Sequence, residues 1–129
     1  MSGLRVLYVD DEPDIREVAG LSLQLDPEIE VRAVESGADA IAVFSRADWT
    51  PDVVLLDVMM PVMDGPGVLK ALRELGAATP VVFITARAQS HERSRLIDLG
   101  ALGVITKPFD PMSLAKDLRA VLASVDVPA

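Results

Sequence analysis

Four short apolar runs, each stopped by a polar side chain, constrain this chain more than anything else in it. Leu4 to Val9 (LRVLYV) ends at Asp10, Asp52 to Leu56 (DVVLL) at Asp57, Val81 to Ile84 (VVFI) at Thr85, and Leu102 to Thr106 (LGVIT) at Lys107. Runs this apolar read as strands buried on both faces. Another segment alternates Ile29, Val31 and Ala33 with Glu28, Glu30 and Arg32. Its period of two predicts a more exposed strand at a sheet edge. Between the strands lie stretches at helical spacing. Asp14 to Leu25 carries Ile15, Val18, Ala19 and Leu25; Ser36-Gly37 opens a helix with Ala40, Ile41 and Phe44; Val68, Leu69, Leu72 and Leu75 follow the loop from Val58 to Asp64. A polar helix over about Ser90 to Leu99 ends at Gly100, and a last one over about Pro111 to Ala123 carries Leu114, Leu118, Val121 and Leu122. Pro13 suits a helical first turn and Gly76 a helix stop.

Strand and helix alternate in units of about 25 residues, which follows from βα alternation without a repeat protein. Such alternation predicts a parallel sheet covered on both faces, and the right-handed crossover rule favours a doubly wound one. The chain has 129 residues, enough for one domain. We expect that domain over 1–124 and a short flexible tail over 125–129.

Composition excludes several functions. Acids outnumber bases 20 to 12, for a formal net charge of -8, so direct nucleic-acid binding is not expected. There is no cysteine and a single histidine, His91, which removes disulfides, thiolate sites and multi-histidine metal sites. No apolar run approaches the roughly 18 residues of a membrane helix, and the N-terminus lacks a signal-peptide pattern. No membrane partner is expected and the expected setting is cytoplasmic.

The polar residues gather where such sheets bind ligands. Asp10, Asp11, Asp57, Thr85 and Lys107 all fall at carboxyl ends of strands. Other residues have plainer readings. Asp64-Gly65 suits a turn and a helix cap. Trp49 is expected over the amino-terminal edge of the sheet, and His91 on an exposed helix surface. Met59, Met60 and Met63 are open to two readings, core packing or a partner-facing loop.

Taken together, Asp10-Asp11 after LYV, Asp57 in LLDVMMPVMDG, Thr85-Ala86 in FITA and Lys107-Pro108-Phe109 resemble the receiver domain of two-component response regulators. The resemblance covers essentially the whole chain, with the pieces in order and at the family's spacing. It implies a flavodoxin-like (βα)5 three-layer sandwich with a parallel five-stranded sheet of order 2-1-3-4-5. In that order the first and third strands are neighbours, about 4.8 Å apart. Three carboxylates then converge, and two unit charges ~5 Å apart cost about 3 kcal/mol at an effective dielectric of 20. A hard cation such as Mg²⁺ relieves that repulsion.

By resemblance, Asp57 is the phosphoacceptor. Asp11 would bind Mg²⁺ directly, Asp10 mainly through a coordinated water, and Asp57 and the backbone carbonyl of Met59 would complete the protein ligands. Thr85 would hydrogen-bond a phosphoryl oxygen, and Lys107 would supply positive charge. Arg87, with Met59, would lie beside the path of attacking water and help set the phosphoryl lifetime. The implied donor is a phosphohistidine on a histidine kinase or histidine phosphotransfer protein, and the implied output is contact with a downstream protein. The signalling face would be the fourth helix, fifth strand and fifth helix, where a dimer would also form. One residue departs from the family. Val104 stands where an aromatic usually swings, and valine is short and stiff, so a loop from Ala86 to Ser90 and the fourth helix are expected to reposition without it.

No catalysis is expected beyond the chain's own phosphorylation and autodephosphorylation. The chain is expected to be a stand-alone receiver, the alternative being a receiver fragment of a larger regulator or hybrid histidine kinase. A remote alternative, an aspartyl-phosphate-forming phosphatase, would need a second acid two residues after Asp57, where Met59 stands. A flavodoxin-like cofactor binder lacks a phosphate loop after the first strand.

Overall fold

The computed structural model describes residues 3–46, 48–87 and 89–124. The tail expected over 125–129 lies outside the described residues. Five βα units follow one another: β1 (Leu4–Val9), α1 (Pro13–Leu23), β2 (Ile29–Val34), α2 (Gly37–Arg46), β3 (Val53–Asp57), α3 (Gly65–Glu74), β4 (Val81–Thr85), α4 (Ser90–Asp98), β5 (Gly103–Thr106) and α5 (Leu114–Ala123). All strand pairs are parallel, in the order β2-β1-β3-β4-β5. β2, with its alternating sequence, is an edge strand as its pattern predicts.

Strand alternation divides the core into two layers. Leu7, Val9, Val54, Leu56, Val81, Phe83 and Val104 pack against Ala40, Val68, Leu69, Leu72 and Leu96, so α2, α3 and α4 cover one face. Val6, Tyr8, Val53, Leu55, Val82, Ile84 and Ile105 pack against Ala19, Leu23, Leu114 and Leu118, so α1 and α5 cover the other. Trp49 is buried in the first layer; its Nε1 donates to Glu30 Oε2 at 2.9 Å and Arg32 lies 4.4 Å from the ring centroid.

Three helices differ from the sequence reading. In α1 the buried residues are Ala19, Ser22 and Leu23, while Val18 and Leu25 are 41% and 61% exposed. A short helix on a sheet buries a narrow stripe, filled here by Ala19, Ser22 and Leu23. Ser22 is satisfied there because its hydroxyl donates to the Pro111 carbonyl. In α3, Leu75 is the exposed C-cap rather than part of the buried face. α5 begins at Leu114, not Pro111. The Asp110 carboxylate accepts from Met112 N at 2.9 Å and its carbonyl from Ser113 N at 3.0 Å, so a turn occupies the segment before the helix.

The ends of α3 behave as expected. Asp64 is its N-cap and accepts from Gly67 N at 2.9 Å. Gly76, just past the C-cap, takes φ +86, the left-handed conformation glycine adopts without penalty.

Candidate functional site

The layer pattern continues past the strand ends and builds the site. Asp10 follows Val6 and Tyr8, Asp57 follows Val53 and Leu55, and Lys107 follows Ile105, so alternation brings all three to the α1/α5 face. β1 and β3 are neighbours, so Asp10 and Asp57 emerge side by side. Carboxylate oxygens of Asp10, Asp11 and Asp57 lie within 4.8 Å of one another. Lys107 reaches over from the outer strand. Its Nζ lies 3.1 Å from Asp10 Oδ2, 3.4 Å from Glu12 Oε1 and 3.5 Å from Asp57 Oδ1.

Asp10 is fully buried and heavily bonded. Oδ2 accepts from the Tyr8 hydroxyl at 2.8 Å as well as meeting Lys107, and Oδ1 accepts from Glu12 N at 3.0 Å. Arg16 Nη1 donates to its backbone carbonyl at 2.8 Å. Asp11 is half-buried at the mouth. Asp57 is 4% exposed. Burial, and secondarily the charge of Asp10, push its pKa from the ordinary 3.8 up to about 6, against the opposing pull of Lys107 and the Met59 backbone N–H. Burial opposes the charge on Lys107, but Asp10, Asp57 and Glu12 outweigh it and hold its pKa above the ordinary value. The Tyr8 phenol is driven upward by burial first and Asp10 second, so it remains a donor.

Thr85 belongs to the other layer by alternation, one position past Ile84, the register partner of Asp57. It is buried, and its Oγ1 accepts from Arg87 N at 3.0 Å in a tight turn. Arg87 is exposed beside it, its backbone tied to the site. Val104 is buried in the α2–α4 layer, and its carbonyl accepts from Arg93 Nη1 at 3.3 Å. The methionines divide. Met60 and Met63 pack on that layer, while Met59 is 71% exposed. His91 is exposed at the start of α4.

Gly65 shows how tightly the β3–α3 connection closes on the site. A Cβ there would lie 2.6 Å from the Asp57 carbonyl and 2.8 Å from Phe83 Cε1, so only glycine fits. In the same loop Val62 is fully exposed with φ +70, a strained conformation for a β-branched residue. Beside Lys107 lies a groove of about 240 Å³ lined by Ile15, Val18, Ala86, Pro108, Phe109 and Pro111.

Sequence reasoning missed Tyr8, Glu12 and Arg16. Tyr8 had a usable signal: a hydroxyl between aliphatic neighbours, two residues before Asp10 and on its face, must find a polar partner. Glu12 and Arg16 had none, because their partners depend on how α1 sits on the sheet.

The donor set is oxygen only, anionic and crowded, which suits a hard divalent cation that retains water. The model for the response regulator receiver domain matches residues 6–119. The chain belongs to the response regulator receiver domain family. Its relatives include the transcriptional regulatory protein TrcR of Mycobacterium tuberculosis, 37% identical over 94% of this chain and 46% of that one. CseB of Streptomyces coelicolor, also a transcriptional regulatory protein, is 39% identical over 91% of this chain and 48% of its own. This receiver thus spans about half the length of the curated relatives it matches. Among solved structures, the chemotaxis response regulator CheY4 of Vibrio cholerae is similar with a TM-score of 0.82 and 34% identity, over 92% of this chain and 98% of that one. The flavodoxin-like (βα)5 fold and the two-component family expected from the motifs are both borne out.

Proposed function

We propose that this receiver is a Mg²⁺-dependent phosphorylation switch with Asp57 as acceptor. The observation that carries the reading is the buried Asp57 carboxylate, 3.5 Å from Lys107 Nζ and inside a three-acid cluster. With a pKa of about 6, Asp57 is mostly ionised at neutral pH and available as a nucleophile. One Asp57 oxygen attacks the phosphorus of a phosphohistidine; the P–N bond breaks, its electron pair returns to the imidazole nitrogen, and an acyl phosphate forms. Asp11, Asp57 and the Met59 carbonyl would hold Mg²⁺, with Asp10 acting through water. Bound there, the cation would neutralise charge on the transferring group. Lys107 pairs with a phosphoryl oxygen from the other side, and Thr85 turns its hydroxyl from Arg87 toward the new group. Arg87 and Met59 then flank the route of the water that hydrolyses it.

The donor in this reading is a histidine kinase or phosphotransfer protein. Its landing place is the apolar groove beside Lys107, continued along α1 by Val18 and Leu21 and past its C-cap by Leu25, since a donor histidine must reach Asp57 from there. The output is a change at α4, β5 and α5, carried by the segment after Thr85 in place of an aromatic swing at Val104. Two settings fit this switch. A receiver of this kind matches nearly all of the CheY4 chain and about half of TrcR, so the same switch would serve by itself or inside a longer regulator. Among the described residues no helix is long and apolar enough to cross a membrane.

Incubation with Mg²⁺ and a small phosphodonor, followed by intact mass, tests the acceptor. We expect a gain of about 80 Da that requires Mg²⁺ and is absent from Asp57→Asn. No gain in the wild-type protein overturns the reading.

A further inference from the structure

Tyr8 is the only tyrosine in the chain, and it is fully buried. Its phenol serves neither the acceptor nor the lysine in the mechanism above. Yet it sits under the acid cluster with its hydroxyl on Asp10 Oδ2 at 2.8 Å. A tyrosine packed in a β1 strand of aliphatic neighbours could satisfy its hydroxyl on any nearby carbonyl. Here it bonds the most buried acid of the site instead.

The oxygens of Asp10 are thereby given different tasks. Oδ2 is taken by the phenol and the Lys107 ammonium, which saturates its two lone pairs. Among the described residues Oδ1 accepts one bond, from Glu12 N, which leaves one of its lone pairs for a cation or its water. Without the phenol, Oδ2 would hold only Lys107, which Glu12 and Asp57 also contact. The carboxylate could then turn about its side-chain torsions and present either oxygen.

We propose that Tyr8 is a positioning residue for the cation site: its hydroxyl fixes Asp10 so that Oδ1 alone faces the metal or its water while Oδ2 anchors Lys107. This deepens the Mg²⁺-dependent reading and rests on it. Outer hydrogen bonds of this kind set metal affinity by orienting the groups around the ion, and their loss typically costs 10–100-fold.

Two measurements decide this. In the first, Mg²⁺ affinity is measured by calorimetry for wild type and Tyr8→Phe, a change that removes one oxygen and no ring volume. We expect the Tyr8→Phe dissociation constant to rise about tenfold; equal affinities overturn the role of Tyr8. In the second, the NMR signal of the hydroxyl-bearing ring carbon is recorded with and without Mg²⁺ in wild-type protein isotopically labelled at that tyrosine carbon. Because Tyr8 is the sole tyrosine, a shift on Mg²⁺ addition is expected from its hydroxyl alone, and Asp10→Asn should abolish it. An unresponsive tyrosine signal in a protein that binds Mg²⁺ overturns the proposal without the need for a folded variant. If wild type bound no Mg²⁺ at all, the cation reading itself would fall, so the two failures are distinct.

Discussion

In the proposed switch, Asp57 must be buried to slow the access of water to an acyl phosphate and ionised to form one. The fold meets both demands at the expense of stability. Folding raises its pKa from 3.8 to about 6, so the folded state holds this proton more tightly than the unfolded chain. The sign follows from linkage. Below pH 4 both states are protonated and the acid costs nothing; from pH 4 to 6 the cost grows; above pH 6 it is complete, up to about 3 kcal/mol. Asp57→Asn is therefore expected to be more stable than wild type in urea unfolding at pH 8 with chelator, and the gain should vanish near pH 4. Equal midpoints at pH 8 would exclude burial of an ionised Asp57.

At the scale of elements, α1 carries apolar residues on two faces. Ala19 and Leu23 enter the core, while Val18 and Leu21, and Leu25 just past the C-cap, are 41%, 62% and 61% exposed. Their spacing of three to four residues makes one stripe that leads from the groove beside Lys107. An exposed stripe costs little to change. Leu21→Ser should alter stability by less than about 0.5 kcal/mol and slow phosphoryl transfer from a cognate kinase roughly tenfold. Its rate with a small phosphodonor should stay at the wild-type value. Radiolabel transfer assays with both donors check the split, and a parallel loss with both would place Leu21 in the fold rather than in docking. The periodicity of α1 misled the sequence reading because Val18 and Leu25 have the right residue type and nearly the right spacing for a core face. Which stripe is buried depends on how the helix is rotated on the sheet, and here Ser22's bond to Pro111 and the packing of α5 set that rotation.

For the whole molecule, the net charge of -8 is concentrated in consequence if not in number. Asp10, Asp11 and Asp57 crowd into one volume, with Lys107 as the cation shared by Asp10 and Asp57. Binding a divalent ion to the folded state alone stabilises it by mass action, about 2.7 kcal/mol at one hundred times the dissociation constant. Thermal unfolding should thus move upward with Mg²⁺ and saturate, whereas K⁺ at matched ionic strength should reproduce only the small general screening effect. Asp57→Asn should respond much less. A Mg²⁺ effect no larger than that of K⁺ would leave the cluster without a specific cation.

The sequence by itself determined the alternation of strand and helix, the edge position of β2, the placing of Asp10, Asp57, Thr85 and Lys107 at strand ends, and the receiver family. Those features are local: hydrophobic period and terminal residue type are written within a few positions of one another. The sequence did not determine Tyr8's grip on Asp10, Glu12's contact with Lys107 across 95 residues, the outward stripe of α1 or the division of the methionines. Nor did it show that Thr85 enters from the opposite layer to Asp57. Only the tertiary structure decided these, because each depends on register between distant strands and on the rotation of a helix against its sheet. Both are settled by packing summed over the whole core rather than by any one segment.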